Sequence, residues 1–170
     1  MKVTTFGIKV WRWFSVLLVV GVLMWTYATL PDLVAVDFSP AGVPENYLDK
    51  STVFYIVMGL ILFNNVVIRA VARQLVKVPV SSLPIPRREA WAQQPEELRE
   101  HLTNWLYSLV AAINTILALT LLALSTVSSS QFKQDVFDFA WVLYLGLVML
   151  TVIVVALPVR LMRPPVPDTL

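Results

Sequence analysis

The sequence contains no cysteine and a single histidine, His101, among its 170 residues. Without cysteine, the chain can form no disulfide, no thiolate nucleophile and no cysteine-ligated zinc or iron–sulfur site. One histidine also excludes a bis-histidine haem site and a two-histidine metalloprotease helix within this chain. We therefore expect no cofactor and no metal site, and any catalysis would have to rely on carboxylates, hydroxyls and amides.

Charged residues are also scarce. They make up 14% of the chain, whereas 58% of the residues are hydrophobic and the mean hydropathy is +0.73. Soluble domains are about 25% charged and roughly 45–50% apolar. The net charge of +2 is small, and its distribution along the chain points to topology rather than to nucleic acid. This composition predicts an integral membrane protein whose partners are the lipid bilayer and other membrane proteins, with no nucleic-acid partner.

Four long uncharged runs are present, and three of them are close to the length that crosses a hydrocarbon core of about 30 Å as a helix. The third in chain order, residues 102–132, is longer than one span needs, so its span is placed at about 105–127. The first follows a basic start and could imitate a signal peptide, but we expect it to be retained as a helix. The predicted fold is an all-α integral membrane protein with four transmembrane helices, at about residues 13–30, 51–68, 105–127 and 139–159.

The cations lie almost entirely on one side of these spans. Eleven fall on the side of the N-terminus: Lys2, Lys9, Arg12, Arg69, Arg73, Lys77, Arg87, Arg88, Arg99, Arg160 and Arg163. Only Lys50 and Lys133 fall on the other side. Because cytoplasmic segments are enriched in Lys and Arg, both termini are expected in the cytoplasm of a bacterium, with the spans in its inner membrane. The segment 31–50 is then an outer cap loop, and 69–104 is a cytoplasmic loop.

The outer cap loop holds the most specific sequence information. Ser39-Pro40-Ala41-Gly42 has the residue preferences of a type I turn, so a compact cap is predicted. Recognition residues concentrate on loops, which makes five residues the candidate binding set: Asp32, Asp37, Gly42, Glu45 and Lys50. The acids could instead bind Ca²⁺ or Mg²⁺, although their spacing is not that of a known cation loop. Further alternatives are capping of a helix start by Asp32 or Asp49, an ion pair with Lys50, and solvated charge.

Several of these residues also carry a resemblance. Leu30-Pro31-Asp32, then Phe38, Gly42, Glu45 and Lys50, then a span and Pro84 to Trp91, resemble the small membrane domain of SdpI-type bacterial immunity and signalling proteins. The resemblance covers roughly residues 14 to 127. It implies a non-enzymatic membrane protein that binds a secreted peptide or sequesters a regulator. Asp37 stands where that family usually has histidine, and Ala35 lies near a usual proline, so no histidine-dependent role is expected for the loop.

Polar residues elsewhere give two further predictions. Asn64, Asn65 and Asn114 lie within spans, where side-chain amides need partners, so we expect them to pack against other helices. Arg87, Arg88 and Trp91 in the cytoplasmic loop are candidates for a partner surface. The tail Pro164-Pro165-Val166-Pro167 is predicted to be extended and polyproline-like.

These features favour a non-enzymatic binding and signalling protein of the immunity type, with the acidic cap as its recognition surface. One alternative is an accessory structural subunit of a larger respiratory or secretion complex. Another is a small-solute transporter, although the polar residues within the spans are neutral and so favour helix packing over ion coupling. A carboxylate-based enzyme is the least favoured, because no matched nucleophile, oxyanion donor or cofactor motif is present.

Overall fold

The computed structural model describes residues 2–128 and 136–164. Three features of the sequence lie partly or wholly outside that range: the serine cluster at Ser129 and Ser130, where the third span is expected to end, the short outer turn expected at Lys133 and Asp135, and the tail from Pro165. Within the described ranges the chain is mostly helical. Four helices are long and apolar enough to cross a membrane, which supports a multi-pass membrane protein.

The elements follow one another in a simple order. Helix α1 (Val3–Thr29) leads to strands β1 (Leu33–Phe38) and β2 (Pro44–Asp49), which are followed by helix α2 (Lys50–Leu75). A 3₁₀ turn (Val80–Ser82) and the short helix α3 (Arg88–Ala92) connect to the long helix α4 (Pro95–Ser128). A second 3₁₀ turn (Val136–Phe139) precedes helix α5 (Ala140–Leu161).

Three helices extend at least 7 residues beyond the predicted spans, all at the end of the bundle where the cations lie. Helices α1 and α4 each begin 10 residues before the predicted spans, at Val3 rather than 13 and at Pro95 rather than 105. Helix α2 continues 7 residues past 68, to Leu75. At 1.5 Å per residue, 10 residues add about 15 Å of helix. Charged side chains end an apolar run without ending a helix. We call the end of the bundle where the cations lie the basic end, and the opposite end, which carries β1 and β2, the hairpin end.

Helix α4 is the centre of the bundle. In its most apolar stretch 39% of the residues are buried, against 17% in each of the other three spans. It packs most extensively on α1 and also contacts α2 and α5. The core of the α1–α2–α4 bundle contains Val19, Leu23, Ile61, Ala118 and Leu121. On the other side of α4, a Cβ at Gly146 of α5 would lie 3.4 Å from Ile116, so glycine lets the two helices approach closely.

The cap corrects the all-α expectation, because β1 and β2 form an antiparallel hairpin. Leu33 pairs with Asp49 and Ala35 with Tyr47, and the register shifts between Ala35 and Phe38. Extended Val34–Phe38 is rich in β-branched and aromatic residues, which suit a half-buried pleated surface. Val34 and Ala35 are buried, and Val34 packs with Leu30 and Val53 at the top of the bundle. The hairpin therefore rests on the helices through one strand.

Candidate functional site

The base of the hairpin is fastened by Asp32 and Lys50. The Lys50 backbone N–H donates to the Asp32 carbonyl at 3.0 Å, and Lys50 Nζ lies 2.8 Å from Asp32 Oδ1. The hydrogen bond from the ammonium, aided by its charge, lowers the pKa of Asp32 below its ordinary value. Lys50 Nζ also lies 5.9 Å from the centre of the Tyr27 ring. The sequence allows Asp32 to cap a helix, to pair with Lys50 or to be solvated, and the structure contains the ion pair with Lys50. This pair joins the start of the cap to the start of α2.

The tip of the hairpin is a hydrogen-bonded turn. Gly42 N–H donates to the Ser39 carbonyl at 2.9 Å, as a turn over Ser39–Gly42 requires. Gly42 has φ 75°, a left-handed conformation that glycine adopts without a steric penalty. The Ser39 hydroxyl accepts the Val43 N–H at 3.1 Å. Gly42 is thus a turn residue, and its contribution to the cap is to set the shape of the tip.

Asp37 and Glu45 differ in how they are held. Asn46 Nδ2 donates to Asp37 Oδ2 at 2.9 Å across the two strands, which fixes the Asp37 carboxylate. Glu45 is exposed in β2, where all six residues are exposed. Asp49 is the residue before α2, but its side chain makes no capping hydrogen bond, so helix capping by Asp49 is wrong. β2 therefore presents its carboxylates to the surroundings.

The acids of the cap do not converge on one point. Asp32 and Asp37 are five residues apart along an extended segment, which corresponds to roughly 16 Å at 3.3 Å per residue. Within residues 2–128 and 136–164, no group of three or more metal-ligating side chains comes together. The carboxylates of the hairpin are therefore spread along an extended acidic surface.

A groove of about 720 Å³ opens below the hairpin tip, between β1, α4 and α5. Val36 and Phe38 form its upper wall, while Ile116, Thr120 and Val142 belong to its helical walls. The lining is mainly apolar.

At the basic end, the three candidate partner residues do not form one surface. Arg87 is exposed with φ 53°, and Arg88 Nη1 donates to the Ser81 carbonyl at 3.0 Å. Trp91 is fully buried, and its indole N–H donates to the Leu161 carbonyl at 2.9 Å. Its inclusion in a partner surface was wrong, because the ring packs into a core with Leu98 and Leu161. Trp91 instead joins the loop to the end of α5.

The three span asparagines meet inside the bundle. Asn114 Oδ1 accepts hydrogen bonds from Asn64 Nδ2 at 3.0 Å and from Asn65 Nδ2 at 3.1 Å. Asn114 Nδ2 donates to Asn65 Oδ1 at 3.2 Å and approaches Ser15 Oγ at 3.5 Å. Asn64 also donates to the Val110 carbonyl at 3.1 Å. This polar cluster joins α1, α2 and α4, as expected of amides that hydrogen-bond between helices.

No protein-family model matches this chain, and neither does any curated protein or solved structure. The resemblance to SdpI-type proteins therefore stays a prediction from the residues of the cap.

Sequence reasoning missed several residues that shape these sites. Asn46, the partner of Asp37, becomes visible only once the strand register is known. Ser15 of the polar cluster is a lone hydroxyl in an apolar run, and only its burial distinguishes it from other serines. Near the basic end, the Thr5 hydroxyl donates to Glu100 and accepts a hydrogen bond from Asn104 at 2.9 Å. No local spacing signals that contact between α1 and α4.

Proposed function

We propose that this chain is a non-enzymatic binding protein of a bacterial inner membrane, with both termini in the cytoplasm and the hairpin outside. The orientation is supported by the split of eleven cations against two. The hairpin recognises a cationic segment of a peptide or protein on the outer side, consistent with the immunity-type resemblance.

The observation that carries this proposal is the contrast between the two strands. β1 buries Val34 and Ala35 on the bundle, whereas every residue of β2 is exposed. A strand that only completed the fold would bury one face. Four acids and one lysine give segment 31–50 a net charge of −3, so charge complementarity favours a cationic partner. An exposed strand can also pair with an extended peptide through its backbone.

Photocrosslinking in intact cells tests the proposal. A photoreactive amino acid at Tyr47 in β2 should yield a discrete polypeptide adduct. The adduct should be lost in the variant Glu45→Gln with Asp49→Asn, which removes two charges and no hydrogen bond of the hairpin. The matched control is the same photoreactive group at Tyr144, an exposed position on α5. No adduct at Tyr47, or an adduct that survives the charge removal, would reject the acidic hairpin as a recognition surface.

The second candidate function, an accessory subunit of a membrane complex, would use the apolar faces of the three spans in which only 17% of the most apolar stretch is buried within the chain. Subunits around those spans would cover the exposed apolar faces. Under that function, Tyr144 would give the discrete protein adduct, and the chain would co-purify stoichiometrically with other subunits after gentle solubilisation. Migration as a single chain of 19.1 kDa with its detergent would oppose it.

A further inference from the structure

A cleft of about 420 Å³ separates α1 and α2 at the basic end. Higher in the bundle the two helices share the core of Val19, Leu23 and Ile61. Below the polar cluster they diverge, and the cleft is lined on one side by Arg12 and Trp13 and on the other by Asn65, Arg69 and Arg73. The volume falls within the size range of ligand pockets, about 300–1,000 Å³. We call it the arginine cleft.

The positive charge of the arginine cleft is not neutralised by the described chain. The ion pairs of residues 2–128 and 136–164 involve Lys2, Lys50 and Arg99. None of the three cleft arginines forms an ion pair or a side-chain hydrogen bond there. Neither α1 nor α2 contains an aspartate or glutamate. Arg69 and Arg73 are one helical turn apart, where like charges repel each other, so a bound anion would relieve an unfavourable contact.

A separate contact positions each wall of the arginine cleft. The Arg12 guanidinium carbon lies 4.1 Å from the centre of the Tyr107 ring, so a contact with α4 holds this side chain, which also lines the cleft. On the opposite wall, Asn65 donates to Asn114 and to the Ile61 carbonyl, and it therefore fixes the turn of α2 immediately above Arg69. Arginines on facing walls can contact one anion from two sides.

The residue types indicate the anion. All three cations of the cleft are arginines, whose planar guanidinium groups bind phosphate oxygens in pairs. The arginines lie where the apolar runs of α1 and α2 end, the level at which lipid headgroups meet a spanning helix. Trp13, Val16 and Val66 supply apolar surface beside them. A soluble phosphate would leave that surface uncovered, whereas the acyl chains of a phospholipid would cover it.

We propose that the arginine cleft binds the phosphate-bearing headgroup of an anionic phospholipid, held by Arg12 on one wall and by Arg69 and Arg73 on the other. Basic pockets between transmembrane helices bind anionic headgroups in this way. This proposal does not depend on the hairpin function, since the two sites lie at opposite ends of the bundle.

The test is native mass spectrometry of the delipidated full chain with phosphatidylglycerol or with zwitterionic phosphatidylcholine. We expect phosphatidylglycerol to bind at least about tenfold more tightly. Binding of phosphatidylglycerol should weaken at least about tenfold in the double variant Arg69→Gln with Arg73→Gln, and also in the single variant Arg12→Gln. Both variants lose charge-assisted hydrogen bonds to the headgroup. The charge-matched control is Arg87→Gln with Arg163→Gln, two exposed arginines outside the cleft, which should bind as the unchanged chain does.

Two further measurements make the result decisive. Inorganic phosphate at millimolar concentration should not displace the lipid. If phosphate did displace it, the ligand would be a soluble anion and the lipid proposal would be rejected. Arg69→Lys with Arg73→Lys keeps the charge and loses the paired hydrogen bonds, so it should lose several-fold affinity even if a glutamine variant fails to fold. Equal weakening in the control variant, or equal affinity for the two lipids, would overturn the proposal.

Discussion

Asn65 and Asn114 exchange two amide hydrogen bonds, at 3.1 and 3.2 Å, between α2 and α4. Asn114 has no exposed surface, and its carbonyl oxygen also accepts from Asn64. In a lipid environment an amide that loses its partner has few replacements. The reciprocal pair therefore sets the register of α2 against the central helix, below the apolar core that the two helices share with α1.

Replacement of Asn114 by leucine should destabilise the bundle, because it leaves the amide groups of Asn64 and Asn65 without their shared partner. Interhelical polar contacts contribute about 0.6–2 kcal/mol in membranes, and we expect a loss in that range. Detergent or thermal unfolding of the purified chain measures it. The neighbouring control is Thr115→Val, whose hydroxyl donates to the Ala111 carbonyl within its own helix. A leucine variant more resistant to unfolding than the original chain would show that Asn114 is kept for function rather than for packing.

The sequence could predict features that depend on neighbouring residues, but it could not predict contacts between residues that are far apart in the chain. The four spans follow from uncharged runs, and the turn at Ser39–Gly42 follows from residue preferences within four positions. The Asp37–Asn46 contact depends on the register of two strands, and the burial of Trp91 depends on Leu161, 70 positions later. The arginine cleft requires knowledge of where α1 and α2 diverge. Residues within one helix cannot carry that information.

The Asp32–Lys50 pair should make the base of the hairpin sensitive to acid. The folded pKa of Asp32 is lowered, so its stabilisation is present above the ordinary carboxyl pKa and is lost as the pH falls through the folded pKa. The effect is modest because the Asp32 side chain is 91% exposed. A nitroxide on Ala41→Cys should report increasing motion of the tip on acidification. With Asp32→Asn in the same chain, the tip should already be more mobile at neutral pH. If acidification increased the motion of the tip equally in the chain with Asp32 and in the chain with Asp32→Asn, a titratable group other than Asp32 would be responsible.

The orientation of the bundle can be tested with single cysteines, because the chain has none of its own. Ala41 is exposed in the hairpin turn, and Ser81 is exposed in the loop at the basic end. Ala41 is preferable to Ser39, whose hydroxyl holds the turn. In intact cells, a membrane-impermeant thiol reagent should label Ala41→Cys and not Ser81→Cys, while both should react after permeabilisation. Labelling of Ser81→Cys before permeabilisation would contradict the cytoplasmic assignment of the basic end.

Trp91 should be the residue of the basic-end loop that is most sensitive to substitution. Trp91→Ala removes a fully buried ring and should cost about 3–5 kcal/mol. Trp91→Phe keeps most of the packing and loses the hydrogen bond to the Leu161 carbonyl, which corresponds to about 1 kcal/mol. Limited proteolysis with a protease of broad specificity, such as proteinase K, should therefore cut the segment 78–94 fastest in the alanine variant and at an intermediate rate in the phenylalanine variant. Arg87→Ala, an exposed change four positions away, is the control and should be cut at the original rate. Equal cleavage of all four chains would mean that the loop is not held to α5 through this ring.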